Sequence, residues 1–354
     1  MSEREHIAVA MSGGVDSAVA AYLASQQGFR VTGINLRLSD ASEDESLQKC
    51  VEMLQIPLLV ADCRQEFHDR VIAPAAAEYA AGRTPNPCCD CNRVLKFYEL
   101  LRVAQEHGIN RVFTGHYVQL KPDKAGIFRL SKGIDQAKDQ SYFLYRLTQA
   151  ELSRAGFPLG GLTKVEVRRI AAEAGLPCAS RPDSQDACFQ IPGECCGETL
   201  RRRCDLPVKR GKFIHRGKTV GKHEGIHRYT IGQRQGLNVA LGVPAYIAAI
   251  DASSGNIHLT TENRDLLAGS FTVKQVNWCS GQAPDERETV TVRIRYRSPG
   301  CDCRISQLEN GDLLVIPDEM LRAVTPGQAA VFYHGDVLLG GGVIDGIGGR
   351  ENAF

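Results

Sequence analysis

Short apolar runs alternate with stretches of helical period through the first part of the chain. His6–Met11 predicts a buried strand. Asp16–Gln27 predicts a helix, with Val15, Val19, Tyr22 and Leu23 at helical spacing. Val31–Leu36 predicts a second strand, Leu47–Leu54 a helix and Leu58–Ala61 a third strand. Phe67–Ala80 has helical period, although Pro74 should kink or divide it. Arg93–His107 predicts a helix with Val94, Phe97, Tyr98 and Leu101 on one face, and Arg111–Thr114 a fourth strand. Alternation of this kind implies an α/β fold, a parallel sheet with helices on its faces. A stretch read as helical follows, in which Thr163-Lys164-Val165-Glu166 is a capping box. It opens a helix to about Ala174 that stops at Gly175.

After about Cys204 glycine becomes frequent and helical period fades. Thr289–Arg297 alternates, with Val290, Val292, Ile294 and Tyr296 on one side and Thr291, Arg293, Arg295 and Arg297 on the other. Asn310-Gly311 between Ile305/Leu308 and Leu313/Val315 predicts a two-residue hairpin, and Val331–Tyr333 with Val337–Leu339 another. The C-terminal third should be a small β-barrel. The division expected is 1–200, 201–268 for a small, mostly β central part, and 269–354 for the barrel.

Composition narrows the classes. The 354 residues are 43% hydrophobic and 23% charged, which excludes a wholly disordered chain. Net charge is +1, so charge alone neither implies nor excludes a nucleic-acid partner. No apolar run approaches the roughly 18 residues of a bilayer span. Residues 1–6 lack a secretory pattern, so a cytoplasmic protein with no membrane partner is expected. The 13 cysteines are odd in number and irregularly spaced, which argues against a disulfide framework. Cys50, Cys63 and Cys178 fit as filler. Cys195, Cys196, Cys204, Cys301 and Cys303 match no motif and read as structural.

Two places carry chemistry. Ser12-Gly13-Gly14-Val15-Asp16-Ser17 joins the first strand to the first helix. Glycines let the backbone approach phosphate oxygens, and unpaired N–H groups at a helix start favour an anion. There is no Gly-Lys-Ser/Thr and no G-x-G-x-x-G, which argues against a kinase-type P-loop and a dinucleotide fold. The second place is Thr84-Pro85-Asn86-Pro87-Cys88-Cys89-Asp90-Cys91-Asn92. With a helix expected to begin near Asn92–Arg93, Cys91 is a candidate for a lowered pKa. Far along the chain, Cys188 stands alone in a polar loop bounded by Pro182 and Pro192. Mobility is expected of Gln185–Cys196.

The loop Ser12–Ser17 resembles the SGGxDS signature of PP-loop ATP pyrophosphatases. With both cysteine segments the chain resembles the tRNA-specific 2-thiouridylases (the MnmA/TrmU family). Thr114-Gly115-His116-Tyr117, Lys138–Leu144, Tyr229–Leu237, Thr325-Pro326-Gly327-Gln328 and Val331–Tyr333 match in order. The resemblance implies ATP with Mg²⁺ bound by Ala10, Met11, Ser12, Gly13, Gly14, Val15, Asp16, Ser17, Leu36 and Gly115. It implies adenylation of the C2 oxygen of a wobble uridine, then sulfur transfer from a Cys188 persulfide. Cys91 is then the partner thiol, and a Cys91–Cys188 disulfide results. It implies a persulfide donor, a cysteine desulfurase or sulfur-relay protein. It places Asn86, Pro87 and Cys88 beside the target base. His116, Lys138, Asp139, Gln140, Arg295, Tyr296 and Gln328 would lie against tRNA. The shared face of Arg293, Arg295 and Arg297 also reads as a basic stripe.

In one respect the chain departs from the family: Cys88 stands where many members have Asp. No resident metal is expected on the persulfide route. Cys88, Cys91 and Cys188 could instead hold a [4Fe–4S] cluster, or less naturally zinc. Two other classes compete: a PP-loop ligase that needs no paired cysteines, and a non-catalytic RNA-binding protein.

Overall fold

The computed structural model describes residues 4–40, 45–183, 187–285 and 289–348. The N-terminal part is a parallel sheet of five strands, in spatial order Leu58–Asp62, Arg30–Arg37, His6–Ala10, Arg111–Phe113 and Ala155–Gly156. Its central strand is buried on both faces, which is why its sequence is an unbroken apolar run. Ile7 and Val9 pack with Val19 and Ala20 of helix Val15–Gln26 and with Val167 and Ala171 of helix Lys164–Glu173. Ala8 and Ile34 pack with Leu100, Leu101 and Ala104 of helix Tyr98–Glu106 on the other face. The first strand pairs with the second on one side (Ile7 with Val31) and the fourth on the other (Ile7 with Arg111). At such a reversal of strand order, the crevice beyond the strands' carboxyl ends is the natural ligand site of an open parallel sheet. The loops after both strands open there.

Pro74 divides its helix as expected. Arg64–Phe67 is α-helical, His68–Ile72 widens into a π turn, and the α-helix resumes over Ala73–Ala80 with Pro74 in its first turn. There the ring avoids the carbonyl clash of a helix interior. The next helix starts earlier than predicted. It begins at Pro87, a residue preset for a first helical position, and runs through a π turn over Asn92–Phe97 into Tyr98–Glu106. Cys91 is thus one turn inside a helix and not at its start.

Beyond the fourth strand the helical expectation is corrected over Val118–Lys132. Val118–Pro122 and Phe128–Lys132 form an antiparallel hairpin, which joins the C-terminal sheet where Ser131 pairs with Val337. The capping box is present as read: Thr163 Oγ1 accepts from the Glu166 N–H at 3.3 Å, and the Glu166 carboxylate accepts from the Thr163 N–H at 2.7 Å.

The C-terminal part closes six strands into a barrel, because Phe271–Trp278 pairs with both Leu313–Pro317 and Val337–Ile347. Phe271, Val292, Val315, Phe332 and Ile344 fill it. A four-stranded sheet over residues 211–260 lies before it in the chain, built around Phe213, Ile247 and Leu259.

Two turns differ from the sequence reading. At Asn310-Gly311 the Leu308 N–H donates to Asp312 O and the Gly311 N–H to Leu308 O. This makes a longer turn, with Gly311 at φ +85°, than the two-residue loop expected. The strand expected over Thr289–Arg297 ends at Arg293. Arg293, Arg295 and Arg297 therefore do not form a stripe along one strand.

Candidate active site

The phosphate-type loop sits where the sheet reverses. Ser17 Oγ receives the Ser12 N–H at 3.2 Å and donates to Gly14 O at 3.0 Å. These bonds curl the loop back over the start of the first helix. Gly13 takes φ +78°, a conformation that glycine adopts without steric cost. A cavity of about 240 Å³ opens at the loop. Of the expected nucleotide residues, Ala10, Met11, Ser12, Asp16, Ser17, Leu36 and Gly115 line it. Gly13, Gly14 and Val15 stand behind: Gly13 O accepts from Arg181 at 3.1 Å, and Val15 is buried in the core. Ile34, Leu36, Leu38, Phe97 and Leu100 make one wall apolar, fit for a purine face, while Ser12, Asp16 and Ser17 supply the polar end. Asn35, which the sequence reading passed over, also lines the cavity, and its amide donates to Met11 O at 2.7 Å.

Gly115 has a steric reason to be glycine. A Cβ there would lie 2.8 Å from the backbone carbon of Asp16 and 3.0 Å from the Ser17 nitrogen. Gly115→Val would push the fourth strand's loop off the helix start. Its expected effect is a loss of at least about tenfold in ATP affinity, checked by calorimetry, with smaller loss of thermal stability.

The second part is the helix from Pro87. Cys88 and Cys91 lie three residues apart, on neighbouring positions of one helical face. Cys88 is half-buried, Cys91 buried and Cys188 exposed. The Cys188 sulfur comes close enough to both for its charge to help raise the pKa of Cys88 and Cys91. The expectation of a lowered Cys91 pKa is corrected. Burial pushes the thiol up to about 12, and Lys96 only partly offsets this. Burial likewise raises Cys88. Cys89 is buried and faces Tyr142 O at 3.8 Å.

Lys96 was missed by sequence reasoning. It lines the nucleotide cavity, one turn beyond Asn92, and its charge acts on Cys88, Cys91 and Cys188 alike. Burial works to lower its pKa, but the three sulfurs outweigh that and hold it above the ordinary value. One cation thus serves both the cavity and the thiols. The signal available in sequence was its place on the helix that carries both cysteines. Asn92, 4% exposed, donates to Phe143 O at 3.3 Å, and its Oδ1 has no partner among the described residues.

The residues expected against tRNA divide. Asn86, Pro87 and Cys88 form the helix start beside the thiols. His116 and Gln140 line the nucleotide cavity. Burial, then Lys96, lower the His116 pKa to about 3, so the imidazole is neutral at physiological pH. Lys138 pairs with Asp183 at 2.8 Å. Asp139 is 3% exposed and accepts from Gly133, Ser141 N–H and Ser141 Oγ. Its carboxylate orders its own loop. Tyr296 packs on Phe143 with ring centroids 4.6 Å apart.

Arg295 donates to Ile231 O, Ala323 O and Thr325 Oγ1, tying the barrel to the segment Tyr229–Leu237. Gln328 donates to Thr84 O at 2.8 Å and Pro85 O at 3.3 Å, so the barrel braces the chain entering Asn86–Cys88. The side chains of Arg295 and Gln328 are committed to protein partners. Arg297 alone of the three arginines is exposed.

Ser184, Gln185 and Asp186 lie outside the described residues. Past them, Phe189 is buried against Phe67, with ring centroids 6.3 Å apart, and anchors the chain next to Cys188.

A parallel sheet with a phosphate loop at its reversal point, and a pair of thiols beside the cavity, defines a nucleotide-dependent thiol protein of the PP-loop type. Comparison with known proteins agrees. Residues 5–192 match a family model described as a tRNA methyl transferase HUP domain, residues 202–261 its PRC-barrel domain, and residues 268–344 an aminomethyltransferase β-barrel domain. A tRNA-specific 2-thiouridylase MnmA of Syntrophotalea carbinolica is 43% identical, covering 97% of this chain and 99% of the relative. Those of Geotalea uraniireducens and Chlorobium chlorochromatii are 40% and 41% identical, covering 97% and 98% of this chain and 96% and 99% of theirs. The chain belongs to the MnmA family of tRNA-specific 2-thiouridylases.

Proposed function

We propose that this chain is a tRNA-uridine 2-sulfurtransferase that uses ATP. The observation that carries the reading is the place of Lys96, which lines the cavity of the Ser12–Ser17 loop while its charge acts on Cys88, Cys91 and Cys188. A uridine carbonyl is a poor electrophile and needs activation. ATP, accompanied by Mg²⁺, lies in the cavity with its phosphates at the loop. The C2 oxygen of the wobble uridine attacks the α-phosphorus, the base gives up its N3 proton and pyrophosphate leaves. The terminal sulfur of a Cys188 persulfide then attacks C2. The Cys91 thiolate attacks the Cys188 sulfur, the S–S bond breaks, and its electron pair stays on the sulfur bound to C2. Collapse of the adduct expels AMP and leaves C2=S, and N3 takes up a proton from solvent to replace the one lost on adenylation. The Cys91–Cys188 disulfide formed is reset by a dithiol reductant that supplies two electrons and two protons. The persulfide comes from a cysteine desulfurase or a sulfur-relay protein. The family model's description speaks of methyl transfer; the phosphate loop together with the thiols supports the thiouridylase reading instead.

A [4Fe–4S] cluster on Cys88, Cys91 and Cys188 fits less well. Among the described residues no three Cys, His, Asp or Glu side chains are gathered as a metal-holding group. Burial also disfavours the thiolate form of two of the three. None of the helices, among the described residues, is long and apolar enough to cross a membrane, and a cytoplasmic site of action is part of the proposal.

The test is incubation with ATP, Mg²⁺, a persulfide donor and tRNA bearing an unmodified wobble uridine. Expected is one AMP per 2-thiouridine, read by mass spectrometry of nucleosides, with protein purified iron-free. Thiolation that appears only after iron reconstitution would overturn the persulfide route. Pyrophosphate release without any thiolation would favour the ligase class.

A further inference from the structure

Behind the phosphate loop lies a charge network, centred on one buried ammonium, that the proposed reaction does not use. Lys164 is the first residue of helix Lys164–Glu173, and its side chain is 10% exposed. Its ammonium lies 2.7 and 2.8 Å from the two carboxylate oxygens of Asp16. It lies 2.9 Å from Asp183. The Tyr117 hydroxyl donates to the same Asp16 at 2.7 Å. Asp183 also pairs with Lys138 at 2.8 Å and Arg168 at 2.6 Å. Arg168 further donates to Ala179 O and Arg181 O, and Arg181 donates to Gly13 O. The loop Ser12–Ser17 and the segment that leads toward Cys188 are therefore linked twice, through the buried ammonium and through Arg181.

A purely structural ion pair would not need this placement. Asp16 lines the nucleotide cavity and Lys164 does not. An aspartate at the mouth of a polyphosphate site is compatible with its ligand when cations neutralise it; Mg²⁺ comes with the ligand, and Lys164 acts from behind. That cation is shared with Asp183. A polyanion arriving in the cavity attracts the ammonium and repels both carboxylates, so it changes the force on Asp183. The ammonium itself is largely shielded from water, so removing one of its carboxylate partners leaves it under-compensated.

We propose that Lys164 is a positioning residue that couples the nucleotide cavity to the sulfur-bearing segment, making the reactivity of Cys188 depend on whether polyphosphate occupies the loop Ser12–Ser17. This rests on the reading of Cys188 as the sulfur carrier, but its test does not require turnover.

The test measures the rate of Cys188 alkylation by iodoacetamide in the full chain, by peptide mass spectrometry, with and without a saturating α,β-methylene ATP and Mg²⁺. Exposed Cys195 is the internal control. Expected is a change of at least about fivefold at Cys188 with the analogue, the lower end of typical coupling between sites, and none at Cys195. In Lys164→Gln and Asp183→Asn, at saturating analogue, the response falls below about twofold, and Lys164→Arg restores it. If Lys164→Gln does not fold, Asp183→Asn and Arg181→Gln carry the test. An unresponsive wild-type Cys188, or a full response in Asp183→Asn, overturns the coupling. A wild-type chain that thiolates tRNA without the alkylation response refutes the coupling alone. One with the response and no thiolation refutes the thiouridylase reading and leaves the coupling standing.

Discussion

Cys188→Ser is expected to abolish 2-thiouridine formation, by at least about 10³-fold, while tRNA-dependent pyrophosphate release continues. A serine hydroxyl cannot hold a sulfane sulfur, so the loss is chemical and not a matter of fit. The activation half-reaction should survive because Cys188 contributes nothing to the cavity wall, whose lining includes Ala10, Met11, Ser12, Asp16, Ser17, Leu36, Lys96 and the Thr114–His116 loop. Cys188 is also exposed, so its replacement disturbs no core packing. Cys91→Ser should fail differently. The persulfide still loads on Cys188, visible as a gain of one sulfur in the mass of its peptide, but no disulfide forms and turnover stops. The two variants together separate carrier from partner. Thiolation by Cys188→Ser within about threefold of the unmodified enzyme would show that sulfur enters through another thiol, with Cys88 the first to examine.

The second large effect is expected at Lys96. Burial holds the Cys91 thiol at about 12 even with Lys96 pulling the other way. At pH 7 the reactive thiolate is then on the order of 10⁻⁵ of the total, and it grows tenfold for each unit of pH. Sulfur release should therefore climb steadily from pH 6 to 9. Lys96→Met removes the offsetting charge, raises the thiol pKa further and moves the whole profile to higher pH. At fixed pH the rate should fall about 10- to 100-fold, the loss expected for a shift of one to two pKa units. His116 adds no inflection in this range, since its imidazole titrates near 3. Single-turnover sulfur release at several pH values, from preformed Cys188 persulfide and preadenylated tRNA, isolates the step. An unchanged profile in Lys96→Met would remove Lys96 from the chemistry of the thiols and leave it a wall of the cavity.

The chain's own pattern reached far. The strand–helix alternation from His6 to Phe113 depends on side-chain period, and neighbouring residues set it. The capping box at Thr163–Glu166 and the break at Pro74 are local too, fixed by hydrogen bonds and ring sterics within one or two turns. The phosphate loop was legible for the same reason, because its glycines and hydroxyls act on their own backbone. The helix was expected near Asn92–Arg93 but begins at Pro87, because a proline is well suited to a first helical turn. The hairpin Val118–Lys132 pairs locally, but its place in the C-terminal sheet was not legible, because the strand it joins lies about 200 residues on, at Val337.

By itself, then, the sequence determined the α/β character of the first part, the barrel of the last, the nucleotide loop and the two cysteines. Those follow from local periodicity and from motifs whose chemistry resides in a few adjacent groups. Only the tertiary structure decided what surrounds them. It placed Cys91 in a buried turn with a high pKa, set Lys96 between the sulfurs and the cavity, and tied Asp16 to Asp183 through Lys164. It also committed Arg295, Gln328 and Asp139 to internal bonds. Burial and electrostatic field at a side chain depend on groups that folding brings in from distant parts of the chain, and no local pattern encodes them.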